Sequence, residues 1–138
     1  MDRDYTHRIL QCLYEVHKQL GPGLLESIYE EAVAKELTMQ GFKVGRQVAV
    51  PVYYKGELLK DNLRLDIIID NKVILELKSV TEYRKLFEKQ LYTYLRLANC
   101  PIGYVVNFNE NSLRDGIHTV RNHYADSSTE SWSNGVEK

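Results

Sequence analysis

The stretch from Asp66 to Lys78, DIIIDNKVILELK, constrains the fold more than any other part of the chain. Two runs of aliphatic and β-branched residues, 67–69 and 73–77, flank Asp70-Asn71, a turn signal. This pattern predicts a β-hairpin. Strand side chains alternate between faces, so Ile74, Glu76 and Lys78 share one face, and Asp66 shares a face with Ile68. A three-residue loop of Asp70, Asn71 and Lys72 pairs Ile69 with Val73 and sets Asp66 opposite Glu76. Directly opposed residues have Cβ atoms about 4.5–5.5 Å apart. Two carboxylates that close repel unless positive charge lies between them, and a divalent cation or Lys78 would supply it. A two-residue loop slips the pairing by one residue and turns Glu76 away from Asp66.

The bland alternative is a solvated strand face carrying an Asp, a Glu and a Lys. Against it, residues 63–80 are almost wholly apolar apart from Arg64, the turn and these three. Such strands read as buried on both sides. Charges in them are costly unless paired or bound to metal.

The rest of the chain sets the surroundings. At 138 residues it can bury one core. Residues 1–123 read as one domain and residues 124–138 as a polar, disordered tail. A net charge of −1 carries no global basic signature, so any nucleic-acid contact must come from a local patch. Cys12 and Cys100 lie far apart without C-x-x-C spacing. They read as buried free thiols of a reducing, cytoplasmic compartment. No apolar run is long enough for a membrane span, and the N-terminus lacks a signal-peptide core.

Hydrophobic periodicity predicts the order α-α-β-β-β-α-β, a mixed α/β sandwich. Helices are expected at about 4–20, 24–40 and 82–98. Gly21-Pro22-Gly23 stops the first and Gly41 the second. Residues 42–54 read as a strand with Val44, Val48, Val50 and Val52 on one face, and Pro51 makes it an edge or bulged strand. Lys55-Gly56-Glu57 is a turn. A strand at 102–108 follows the third helix, long enough after the Glu76 strand for a βαβ crossover. A short strand at 116–120 completes the pattern. Two helical positions are anomalous. Glu26 falls on the apolar side of the second helix, near Tyr29, Val33 and Leu37, either as a site residue or as an acid favoured at a helix N-terminus. Gln90, four residues before Tyr94, sits beside Phe87 and Leu91, either facing a site or reaching solvent.

These residues carry a family resemblance. Gly23-Leu-Leu-Glu26-Ser-Ile-Tyr29 reads G-x-x-E-x-x-Y, Asp66 with Glu76-Leu-Lys78 reads D…E-x-K, and Gln90 with Tyr94 reads Q-x-x-x-Y. In this order and spacing they resemble the GxxExxY proteins, a prokaryotic group within the PD-(D/E)XK nuclease superfamily. The likeness runs from about Tyr5 to Arg121, with Leu65 rather than proline before the aspartate. It implies a restriction-endonuclease-like core, a mixed central sheet flanked by helices. It also implies a Mg²⁺- or Mn²⁺-dependent endo- or exonuclease acting on nucleic acid, DNA before RNA. By the same resemblance Asp66, Glu76 and the Leu77 carbonyl would hold the metal, with Glu26 joining directly or through water. Lys78 would assist the attacking water, and Gln90 and Tyr94 would contact the substrate backbone. Arg84, Lys85 and Lys89 would form a basic patch, unless they are simply a solvated helix face. Target choice would come from oligomerisation or a protein partner. The alternative is a non-catalytic nucleic-acid- or protein-binding module on the same fold.

Overall fold

The computed structural model describes residues 2–125, so most of the expected tail lies outside the described residues. Helix α1 spans Arg3–Leu20 and α2 spans Glu26–Met39. Asp2 caps α1 by accepting from the Asp4 N–H at 3.0 Å. Gly21, with φ of 72°, ends it. Strands β1 (Val44–Tyr54), β2 (Glu57–Ile69) and β3 (Val73–Lys78) precede helix α3 (Leu86–Ala98). Strand β4 (Ile102–Asn107), a 3-10 turn at Leu113–Gly116 and strand β5 (Ile117–Arg121) follow. The five strands form one mixed sheet in sequence order, with β3 parallel to β4 and the other pairs antiparallel. The parallel pair is joined through α3, as a βαβ unit requires.

Two apolar layers hold the helices to the sheet. Ile9, Leu13 and Val16 of α1 pack with Tyr29, Val33 and Leu37 of α2 against Ile67, Ile69, Leu75 and Leu77. On the opposite face Leu91, Leu95 and Ala98 of α3 pack against Ile68, Ile74 and Val105. Close approach of α3 depends on Gly103. A Cβ there would lie 2.7 Å from the Ile74 carbonyl oxygen and 3.2 Å from the Leu91 methyls. The hairpin strands are thus covered on both sides, as their composition implies.

Two expectations need correction. The third helix begins at Leu86, not residue 82. Both backbone groups of Val80 bond the Asn107 side-chain amide, each at 3.1 Å, and Tyr83 stacks on His118. The chain is therefore held across the sheet end before it can turn into a helix. Arg84 and Lys85 precede the helix. Nor do the four valines of β1 share a face. Val44 packs with the α1/α2 layer, whereas Val48 and Val50 pack with the α3 layer. Between them Gln47 has φ of 49°, a left-handed residue that reverses the alternation. Pro51 does mark an irregularity, since the β1–β2 register shifts between Pro51 and Tyr53.

The loop between α1 and α2 is fixed by Tyr29. Its ring stacks on Phe108 at 4.4 Å between centroids, and both residues are fully buried. Its hydroxyl donates to the Gly21 carbonyl and accepts from the Leu24 N–H. Tyr29→Phe keeps the stack but strands both backbone groups. It should cost about 1–3 kcal/mol in chemical denaturation. An unchanged midpoint would contradict this role.

Candidate active site

The hairpin turn decides the site. Asp70 and Asn71 are both left-handed, at φ of 52° and 56°, and the Lys72 N–H donates to the Ile69 carbonyl at 2.8 Å. Asp70 is pinned by the Tyr5 hydroxyl at 2.7 Å and the Lys43 N–H at 2.9 Å. Ile69 therefore pairs with Val73 and Ile67 with Leu75, and the next step of this register sets Asp66 opposite Glu76. Here carboxylates replace the ladder. The Asp66 N–H donates to Glu76 Oε2 at 3.1 Å, and the Leu77 N–H donates to Asp66 Oδ2 at 2.9 Å. The three-residue loop is the one the fold uses.

Electrostatics follow from burial. Glu76 is pushed up to about 8, first by burial and then by the Asp66 charge. The Asp66 N–H and Lys78 pull the other way. Asp66 is also raised, chiefly by burial, with Glu30 and Glu26 adding repulsion against the Leu77 N–H and Lys78. Lys78 places its ammonium 4.4 Å over the Phe87 ring. Tyr94 is half-buried, and its hydroxyl is raised by burial and then by Glu76 and Asp66. It keeps its proton and can donate. Two oxygen-only donors short of positive charge suit a hard cation such as Mg²⁺.

The remaining expected residues are placed less centrally. Glu26 opens α2 and is exposed rather than set in the apolar stripe, because it lies beyond the sheet end. Its carboxylate accepts from the Ser79 N–H at 3.4 Å, while the Ser79 hydroxyl donates to the Leu24 carbonyl at 2.6 Å. Helix α2 is thereby tied to the end of β3, just after Lys78. Among the described residues, no three His, Cys, Asp or Glu side chains are grouped to hold an ion. Gln90, Arg84, Lys85 and Lys89 are exposed, and Lys85 lies 3.7 Å from Glu88. Cys12 and Cys100 are both buried and free, their thiols raised by burial to about 11 and about 12.

Sequence reasoning missed Glu30 and Gln47. Glu30 is buried and accepts from Arg46 at 3.2 Å and from the Gln47 amide at 2.6 Å. The same amide nitrogen lies 3.5 Å from Asp66 Oδ1. Glu30 was discoverable, since it heads the stripe Glu30, Val33, Ala34, Leu37 that faces the sheet.

A family model of the PD-(D/E)XK nuclease superfamily matches residues 3–120. The chain belongs to this superfamily. The match spans every helix and strand from α1 to β4 and nearly all of β5. The mixed sheet flanked by helices is the architecture expected of a PD-(D/E)XK protein. No curated protein and no solved structure matches the chain. Among the described residues, no helix is long and apolar enough to cross a membrane.

The raised Glu76 carboxyl has a consequence for stability. The folded protein holds that proton up to about pH 8, whereas the unfolded chain releases it near the ordinary 4.5. The folded state thus binds more protons between these values, and stability falls as pH rises through them. In chelator, the melting temperature should drop between about pH 5 and about pH 8. Glu76→Gln should flatten the drop and melt higher at the alkaline end. Parallel curves for the two proteins would contradict the raised value.

Proposed function

We propose that this chain is a metal-dependent nuclease of the GxxExxY group that hydrolyses phosphodiesters, in DNA before RNA. The observation that carries the proposal is the side-by-side placement of Asp66 and Glu76 at the sheet end, both raised toward the protonated state and flanked by Lys78. Membership of a nuclease superfamily supports the same class of chemistry. Asp66, Glu76 and the Leu77 carbonyl are the residues for Mg²⁺ or Mn²⁺, with Glu26 completing the set directly or through water. When bound, such an ion lowers the pKa of a coordinated water and offsets charge on the scissile phosphate.

The chain's own groups do the rest. Lys78 keeps its ammonium on the pair's side of the sheet, where it orients the attacking water and stabilises charge on the five-coordinate phosphorus. Its seat on the Phe87 ring limits where the ammonium can go. The Tyr94 hydroxyl, still protonated, donates to a substrate phosphate oxygen, and Gln90 one turn earlier reaches the next. Arg84 and Lys85, just before α3, and Lys89, within it, are exposed and attract the polyanion. Target choice beyond this comes from a second copy or a protein partner.

Purified wild type and Glu76→Ala should be compared on single-stranded DNA, duplex DNA and RNA with Mn²⁺ or Mg²⁺. Wild type should cleave DNA and Glu76→Ala should not. Lys78→Ala should lose about 10²–10³-fold in kcat while keeping the metal-induced rise in melting temperature. Equal cleavage by wild type and Glu76→Ala, or no metal-induced rise in wild type, would favour a binding module on this fold.

A further inference from the structure

Gln47 is an unusual residue to find at φ of 49° within a strand. The left-handed region is strained for a side chain of this kind, and such strain concentrates at functional positions. The kink has a local effect that a regular strand would forbid. Adjacent strand residues point to opposite faces, yet Arg46 and Gln47 both reach the Glu30 carboxylate. Arg46 takes Oε2 at 3.2 Å and the Gln47 amide takes Oε1 at 2.6 Å. The amide nitrogen carries two protons, and its second acceptor is Asp66 Oδ1 at 3.5 Å. Across the ladder, Arg46 pairs with Ile67 and Val48 with Leu65, so Gln47 stands level with Asp66. The Gln47 carbonyl is itself held by the Arg64 guanidinium at 3.0 Å. Buried Glu30 on α2 is thus linked through one amide to the strand carboxylate.

We infer that Gln47 is a positioning residue, its strained backbone holding one amide between Glu30 and Asp66 so that Asp66 keeps a fixed rotamer for the metal. The role in metal binding rests on the proposed nuclease reading. The role in fixing Asp66 does not. Oδ2 of the same carboxylate accepts the Leu77 N–H at 2.9 Å, so both oxygens of Asp66 are held, one by each neighbouring strand. Without the amide, Glu30 keeps Arg46, but Glu30 Oε1 and Asp66 Oδ1 lose the one amide that links them.

Two substitutions separate strain from anchoring. Gln47→Gly accepts the left-handed φ without steric strain, at an entropic cost, and removes the amide. Gln47→Met keeps the length and the strain but removes the amide. Both lose the amide bond to buried Glu30 and should melt below wild type, with Gly above Met because only Met keeps the strain. Both should weaken Mn²⁺ binding by about tenfold or more in calorimetry, the size typical of groups that orient a metal ligand. Both should also speed hydrogen exchange of the Leu77 amide by about tenfold in metal-free protein, relative to Ile68, because that N–H loses a fixed acceptor. If wild type binds no Mn²⁺ but Leu77 exchange still accelerates in both variants, the nuclease reading fails and the positioning role stands. Wild-type Leu77 protection in either variant overturns the positioning role, whatever the metal does. So does a Gln47→Gly protein that melts no higher than Gln47→Met, since the backbone at Gln47 would then hold no strain to aim the amide.

Discussion

Ile69 pairs with Val73 across a three-residue turn, and that pairing decides where two carboxylates stand. One residue of slip would turn Glu76 to the other face and leave Asp66 alone. The turn is fixed by contacts far from it in sequence. The Tyr5 hydroxyl from α1 and the N–H of Lys43, just before β1, both end on Asp70. The first helix therefore helps set the spacing of the acids at the opposite end of the hairpin. Burial of Ile67, Ile69, Leu75 and Leu77 on one side, and Ile68 and Ile74 on the other, locks the same register from both faces.

The outcome is an arrangement that is poor for stability and good for chemistry. Placing Glu76 beside Asp66 with little solvent costs the folded state wherever both are ionised. The fold softens the cost with backbone N–H groups, with Lys78 and by leaving a proton on the pair. It does not remove it. A bound divalent cation would remove the conflict directly, and the proposed metal role rests on that. The strained Gln47 belongs to the same pattern: local stability is given up where a side chain must be aimed.

Much of this was legible in the sequence. The period-2 hairpin, its turn residues and the parity of Asp66, Glu76 and Lys78 gave the sheet and its central pair. Gly21 and Gly41 marked helix ends to within two residues. What could not be read was set by contacts made only after folding. Nothing in the composition of β1 announces a left-handed glutamine, so its four valines looked coplanar when they are not. The delayed start of α3 depends on Asn107 and His118, which lie more than twenty residues downstream of Val80 and Tyr83. Glu26 looked buried on a wheel because a wheel carries no information about where the sheet ends. Glu30, one turn later, is the carboxylate that the sheet covers.

The central claim is that Glu76, raised by burial beside Asp66, carries a proton that a bound divalent cation would displace. Proton uptake or release during Mn²⁺ titration tests it most directly, by calorimetry near pH 7 in buffers of different ionisation enthalpy. The account predicts that wild type releases up to about one proton per ion bound, falling toward zero above about pH 8, because the displaced proton belongs to a carboxyl raised to that range. Glu76→Gln should bind weakly and release none. Tight Mn²⁺ binding by wild type with no proton released at pH 7 would contradict it.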